Sequence, residues 1–188
     1  MSKTTPMSRE AQALIESVKA AGQQGLPPVE KWDPDFTGDL DMRIDADGTW
    51  YHEGGEIERP ALVRLFASVL KREGERYFLV TPVEKYGIEV EDVPFIAIDV
   101  DVSGEGKDAV LTFTTNLGDT VEAGPDDPIR VDEDPETGEP SPYVHVRRGL
   151  EARIDRKSFY RLADIGQVEG SRVVVHSHGT AFPIGPVA

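Results

Sequence analysis

Arginine recurs in this chain at a spacing that could build an anion site. Ile57-Glu58-Arg59-Pro60-Ala61-Leu62-Val63-Arg64-Leu65 and Ile154-Asp155-Arg156-Lys157-Ser158-Phe159-Tyr160-Arg161-Leu162 share one pattern. Each reads Ile, acid, Arg, two unconstrained positions, a large apolar residue, one more unconstrained position, Arg, Leu. Arg59 therefore matches Arg156, and Arg64 matches Arg161. The pattern puts the first arginine at the start of a helix, where backbone N–H groups favour negative charge and a guanidinium fork fits phosphate or carboxylate oxygens. If the two helices flank one cleft, their arginines converge on an anion. The competing reading is that these arginines pair with neighbouring acids or tie the two units together, which contributes little.

Other chemistry is less sharply signalled. Trp50, Tyr51, Tyr77, Tyr86, Tyr143 and Tyr160 offer flat faces for a base or ring, and as buried aromatics they would equally be packing. His176-x-His178 puts two imidazoles on one face of a strand, part of a metal set with no third ligand in the motif. Lys85 is a ligand contact, a catalytic amine or a paired surface lysine. Asp45-x-Asp47-Gly48 has the start of a calcium loop without its later ligands. Gly104 and Gly106 are followed by no helix, so the dinucleotide fingerprint fails. No nucleophile elbow, Walker loop, kinase set or zincin helix is present, and no motif calls for a cofactor or a metal. A non-enzymatic protein is expected.

These residues sit on a duplicated frame. Glu73-Gly74-Glu75-Arg76 before Tyr77-Phe78-Leu79-Val80 is echoed by Glu169-Gly170-Ser171-Arg172 before Val173-Val174-Val175. Trp50-Tyr51-His52 can be set against Tyr143-Val144-His145. A strand–helix–strand unit of roughly 40 residues thus occurs twice. Residues 8–20 predict a further amphipathic helix, with Ser8 as N-cap, Ala11, Leu14, Ile15 and Val18 on one stripe, and Gly22 and Gly25 ending it. Between the two repeats the pattern is β throughout, and Asp132 to Glu139 reads as an exposed, mobile acidic loop. The expectation is an α+β fold of two related domains. Each is a curved antiparallel sheet packed by one helix, the C-terminal one enlarged with extra strands. Residues 1–27 form the N-terminal helix and linker, 28–90 the first repeat domain and 91–188 the second.

At 188 residues the chain suits one large or two small domains. It has no cysteine, which excludes disulfides, thiolate metal sites and cysteine nucleophiles together and fits a reducing cytosol. Residues 1–25 hold no apolar run of signal-peptide length. Nothing approaches the roughly 18 apolar residues of a membrane span, so a soluble cytoplasmic protein is expected. The net charge of −15 argues against a nucleic-acid polymer or an acidic membrane as partner. The charge is unevenly spread: residues 1–140 carry −18 and residues 141–188 carry +3, with Arg147, Arg148, Arg153, Arg156, Lys157, Arg161 and Arg172 supplying the bases. An acidic chain with one basic region suits a small anionic ligand.

Many short pieces, in order, resemble one bacterial family. They include Leu26-Pro27-Pro28 with Trp32, Met42-Arg43-Ile44 with Gly48-Thr49-Trp50, and Arg59-Pro60-Ala61-Leu62-Val63-Arg64-Leu65-Phe66. Phe78-Leu79-Val80-Thr81-Pro82-Val83-Glu84-Lys85, Thr114-Thr115-Asn116, Pro142-Tyr143-Val144 with Arg147, and Gly149-Leu150-Glu151-Ala152-Arg153 continue the match. From about Leu26 to Pro183 the chain is similar to domain-of-unknown-function family 1285. That resemblance implies a duplicated α+β fold with a C-terminal half loosely like a pleckstrin-homology domain. It also implies a site for a nucleotide-like ligand at the interface of the two repeats and a role in signal transduction. It brings no catalytic residues. On it Trp50, Lys85, Asn116, Tyr143, Arg147 and Arg153 join Arg59 and Arg156 as candidate ligand contacts. The alternative is an interaction adaptor that binds a protein partner and no small molecule, through a sheet edge or the N-terminal helix.

Overall fold

A computed structural model describes residues 7–20 and 25–187. The chain divides into two compact units, Met1–Asp92 and Val93–Ala188.

The N-terminal unit opens with α1 (Arg9–Ala20), whose Ala11, Leu14 and Val18 are buried as the stripe requires. Ser8 caps it, its hydroxyl accepting from the N–H of Ala11 at 3.2 Å. The same hydroxyl lies 3.1 Å from Nε2 of buried His52 and so ties the helix to the sheet. Gly22, expected to end this helix, lies outside the described residues. After a 3-10 turn at Val29–Lys31 come β1 (Gly38–Ile44), β2 (Trp50–His52), β3 (Gly55–Glu56), α2 (Pro60–Ser68), β4 (Leu70–Glu73), β5 (Arg76–Val80) and β6 (Lys85–Val90). Pro60 stands at the first helical position of α2, where a missing N–H costs nothing. The six strands form one sheet in the order β3-β2-β1-β6-β5-β4. Leu40, Met42 and Ile44 alternate inward from β1, and Trp50 stacks on Phe66 of α2 with ring centroids 6.3 Å apart.

The C-terminal unit contains β7 (Phe95–Ser103), a 3-10 turn at Gly106–Asp108, β8 (Val110–Thr115), β9 (Thr120–Glu122) and β10 (Ile129–Glu133). There follow β11 (Pro140–Arg147), β12 (Leu150–Ile154), α3 (Arg156–Ile165), β13 (Gln167–Glu169), β14 (Arg172–Ser177) and β15 (Thr180–Pro186). The first six strands form a sheet in the order β10-β11-β12-β7-β8-β9, and the last three a separate sheet, β13-β14-β15. Asp155 caps α3, accepting from the N–H of Ser158 at 2.8 Å.

The α+β, two-domain architecture is as expected, and so is the duplication. A hairpin, a helix and a three-stranded meander follow one another in each unit: β1-β2, α2, β4-β5-β6 and β11-β12, α3, β13-β14-β15. The Glu-Gly-x-Arg echo makes the same tight turn twice. Glu73 pairs Arg76 and Glu169 pairs Arg172, with Gly74 at φ +62° and Gly170 at φ +63°.

Three details differ from expectation. Each large sheet is mixed, because β1 pairs β6 and β12 pairs β7 in parallel. Trp50 stands on the second hairpin strand and Tyr143 on the first, so they are not equivalent positions. The acidic segment after β10 is exposed as expected, and it closes a built hairpin tip. Asp134 Oδ1 accepts from the N–H groups of Glu136 and Thr137 at 2.8 and 3.0 Å, holding that carboxyl below its ordinary range.

Candidate functional site

Three groups of side chains collect the residues that could bind a ligand, each within one unit.

In the N-terminal unit Lys85 of β6 reaches across β5 to Glu73 of β4, Nζ to Oε2 at 2.5 Å. Between them lies the ring of Phe78, with Lys85 Nζ 4.6 Å from its centroid. Lys71 completes the group, donating to the Trp32 carbonyl at 2.8 Å and standing 3.5 Å from Glu73. The hydrogen bond from Lys85 is the largest cause of a Glu73 pKa held below the usual carboxylate value. Alternation explains the meeting: Lys71, Glu73, Phe78 and Lys85 all point to one face. Lys85 is only 13% exposed at its side chain and is committed to this pair. Trp50, at 1% exposed, is core and shows no face to a ligand. Arg59 is exposed at the N-cap position of α2 and makes no capping hydrogen bond.

In the C-terminal unit a row of side chains crosses the sheet. The register sets Arg130 beside Tyr143, Tyr143 beside Arg153 and Arg153 beside Ile96. Tyr143 lies between two guanidinium groups, Arg130 at 4.1 Å and Arg153 at 5.2 Å from its ring centroid. Arg153 Nη1 also donates to the Tyr143 hydroxyl at 3.3 Å. Asn116 accepts from the N–H of Ile96 through Oδ1 at 3.1 Å, so its amide fixes β7 rather than facing outward. Arg147 covers Phe95 at 5.0 Å and donates to Asp119 at 3.0 Å. Arg130 grips Glu151 through two hydrogen bonds of 2.8 and 3.1 Å and also meets Asp132, and the Glu151 bonds raise its pKa above the arginine norm. The structure thus brings Tyr143 and Arg153 together and sets Asn116 and Arg147 at the same end of β7. Carboxylates already hold Arg130 and Arg147, and nothing in the sequence singled out Arg130 or the partners Asp119, Asp132 and Glu151.

The third group lies on α3. Arg156, Lys157, Ser158, Tyr160, Arg161 and Asp164, with Asp99 from β7, line an open depression of ≈ 580 Å³. Arg156 and Lys157 have no ion-pair or hydrogen-bond partner among the described residues. Arg161 reaches Asp99 only at 3.9 Å. The Ser158 hydroxyl is buried and unpaired. Of the aromatics considered for stacking, Tyr160 stands out, being 59% exposed. The helical spacing of Arg156, Tyr160 and Asp164 lays them along one face. Asp155 occupies the helix N-terminus itself, so any anion here would be held by side chains.

The histidines are scattered. His178 sits in a tight turn at φ +49° with its Nε2 2.7 Å from Glu122, while His176 lies 3.2 Å from Glu169. His145 accepts from the N–H of Gly149 through Nε2, so Nδ1 carries the hydrogen directed at Asp127, 2.7 Å away. It clamps a turn. Among the described residues no group of three or more His, Asp or Glu side chains is arranged to hold a metal.

Residues 27–93 match the model of "Domain of unknown function (DUF1285), N-terminal domain", and residues 94–184 match that of "Protein of unknown function (DUF1285), C-terminal domain". The chain belongs to the DUF1285 family. A crystal structure of a DUF1285 family protein from Silicibacter pomeroyi DSS-3 is 54% identical, with 97% of each chain covered and a TM-score of 0.87. One from Shewanella baltica OS155 is 26% identical, covering 68% of this chain and 94% of that one, with a TM-score of 0.54. No curated protein matches. The two DUF1285 models meet between residues 93 and 94, one position from the division of the structure between Asp92 and Val93. DUF1285 membership establishes the architecture and carries no reaction with it.

Proposed function

We propose that this DUF1285 protein is a non-enzymatic ligand-binding module whose C-terminal unit takes a small anionic, nucleotide-like ligand on α3, in a sensing role. The observation that carries the reading is the pair Arg156 and Lys157. The chain has 35 acidic and 20 basic residues, yet these two adjacent cations have no partner among the described residues. With Arg161 loosely held, they would give phosphate oxygens three cationic donors, and exposed Tyr160 would give a base a face to stack on. Charge-assisted hydrogen bonds of this kind contribute about 1.5–3 kcal/mol each when desolvated and less on an open surface. The cysteine-free sequence supports a cytoplasmic setting. Among the described residues no helix is long and apolar enough to cross a membrane.

The test is thermal unfolding against nucleotides, cyclic nucleotides, sugar phosphates and dicarboxylates. A ligand at about a hundred times its Kd adds about 2.7 kcal/mol to the folded state and raises the midpoint by several degrees. A rise from one anionic class supports the reading. No rise across the panel contradicts it.

One observation favours the adaptor reading as a second. Strand β13 is the outer strand of its sheet, all three of its residues are exposed, and Val168 is 65% exposed. An edge of this kind can accept an added strand from a partner. Val168→Pro would abolish capture of such a partner and leave the anion site on α3 intact.

A further inference from the structure

A second pocket, of ≈ 300 Å³, lies elsewhere in the C-terminal unit, between the β7–β8 loop, the end of α3 and the small sheet. Val102, Ala109, Ile165, Val174 and Val175 make its lining mainly aliphatic. Its polar groups are few: Glu105, Gln167 and His176. No lysine or arginine lines it. That combination, an apolar chamber with a few polar anchors, is the usual make-up of a small-molecule site, and its size falls at the lower end of the roughly 300–1,000 Å³ such sites occupy.

His176 brings a carboxylate to the pocket wall. It is 7% exposed, and it lines the pocket. Oε1 of Glu169 lies 3.2 Å from its Nε2. Carboxylate oxygens only accept hydrogen bonds. Glu105 adds a second carboxylate. The polar groups therefore favour a ligand that donates hydrogen bonds and carries positive charge, the opposite of the ligand that α3 would take.

The loop wall is built to stay where it is. Gly104 has φ +76°, and a Cβ on it would lie 2.6 Å from the Asp108 carbonyl oxygen. The loop is also joined to the small sheet, because the N–H of His178 donates to the Ala109 carbonyl at 3.2 Å. The Ser177 hydroxyl accepts from the N–H of Leu111 at 2.9 Å as well.

We infer that this pocket binds a compact hydrophobic amine, its hydrocarbon body among Val102, Ile165, Val174 and Val175 and its ammonium group directed at Glu105 and at the Glu169 carboxylate beside His176. The reading is independent of the anion site, since the two pockets share no lining residue.

The test is an NMR titration of the full chain with benzylamine, using benzyl alcohol and benzoate as probes of charge, observed at the valine and isoleucine methyl groups and the histidine rings. Benzylamine should shift His176, Val174 and Val175 saturably at concentrations up to about 10 mM, while His178 stays still. Ile165→Trp, a partly exposed position at the rim, should fill the pocket and remove the saturable shift. Glu105→Gln, on an exposed loop, should weaken benzylamine about fivefold, the scale of one exposed ion pair. Absence of a saturable shift would overturn the proposal, as would equal shifts in Ile165→Trp. Equal affinity for benzyl alcohol or benzoate would also overturn it, because the charge selection would be gone.

Discussion

Lys85 and Glu73 meet over the ring of Phe78, Nζ 2.5 Å from Oε2, so that one ion pair spans the three strands β4, β5 and β6. The pair is partly buried, and Lys71 stands 3.5 Å from the same carboxylate. Lys85→Met is expected to lower stability near neutral pH by about 1 kcal/mol, since Glu73 keeps Lys71 and some solvent. The sign of the pH effect follows from the depressed Glu73 pKa. The stabilisation is present above the ordinary carboxylate value of 4.5 and is lost as pH falls through the lower folded-state pKa. Urea unfolding of both proteins across acid pH checks this: the gap between them should close below pH 4.5. A gap that persists at the acid end would mean the loss is packing on Phe78.

Gly74 and Gly170 turn the chain at the same point of each repeat, both in the left-handed region. A Cβ at either position meets nothing within 4 Å. Any cost of Gly→Ala is therefore backbone conformation alone. Each substitution is expected to cost about 1–2 kcal/mol by urea unfolding, and the two costs should be similar.

Two other glycines separate cheap crowding from costly crowding. A Cβ on Gly87 would fall 2.3 Å from Asp39 Oδ1 and 2.8 Å from Arg76 Nη2, both ends of exposed side chains that can swing away. On Gly104 it would meet the Asp108 backbone carbonyl, in a residue already at positive φ. Gly87→Ala should cost under about 1 kcal/mol, an exposed pair being worth no more, whereas Gly104→Ala should cost at least 1–2 kcal/mol from backbone strain. Equal costs would contradict this reading of the β7–β8 loop.

Ser8 and Asp155 each cap a helix, and the two energies can be compared. Asp155→Ala should cost about 1 kcal/mol, the usual value for an N-cap carboxylate. Ser8→Ala should cost more, about 1–2 kcal/mol. It removes both the cap of α1 and the partner of buried His52, whose Nδ1 already lacks one. The comparison is read from urea midpoints at constant slope.

What the sequence made legible was local. The repeat, the helix starts at its first arginines and the Ser8 cap are all short-range patterns, and each forms. The parallel pairings of β1 with β6 and β12 with β7 were missed because they join strands far apart in sequence, and hairpin signals say nothing about them. The acidic segment around Asp134 looked shapeless by composition, yet its side chain closes a turn on Thr137 that composition does not register. Among candidate site residues, charge and aromaticity alone could not separate core from surface. Trp50 packs on Phe66, Asn116 pins Ile96, and Arg147 is taken by Asp119. Arg156 kept an open position, but its neighbours Lys157, Tyr160 and Arg161 carry as much of the depression, as the i, i+4 spacing from Arg156 to Tyr160 could have indicated.

The most direct measurement is a calorimetric titration of the best anionic ligand from the thermal panel into the wild type and into Arg156→Ala/Lys157→Ala. Both positions are exposed on α3, so the variant should fold with an unchanged midpoint. The expected result is a Kd weakened at least about tenfold in the variant, about 1.4 kcal/mol, with a shallower salt dependence. An unchanged Kd would contradict the assignment of the anion site to α3.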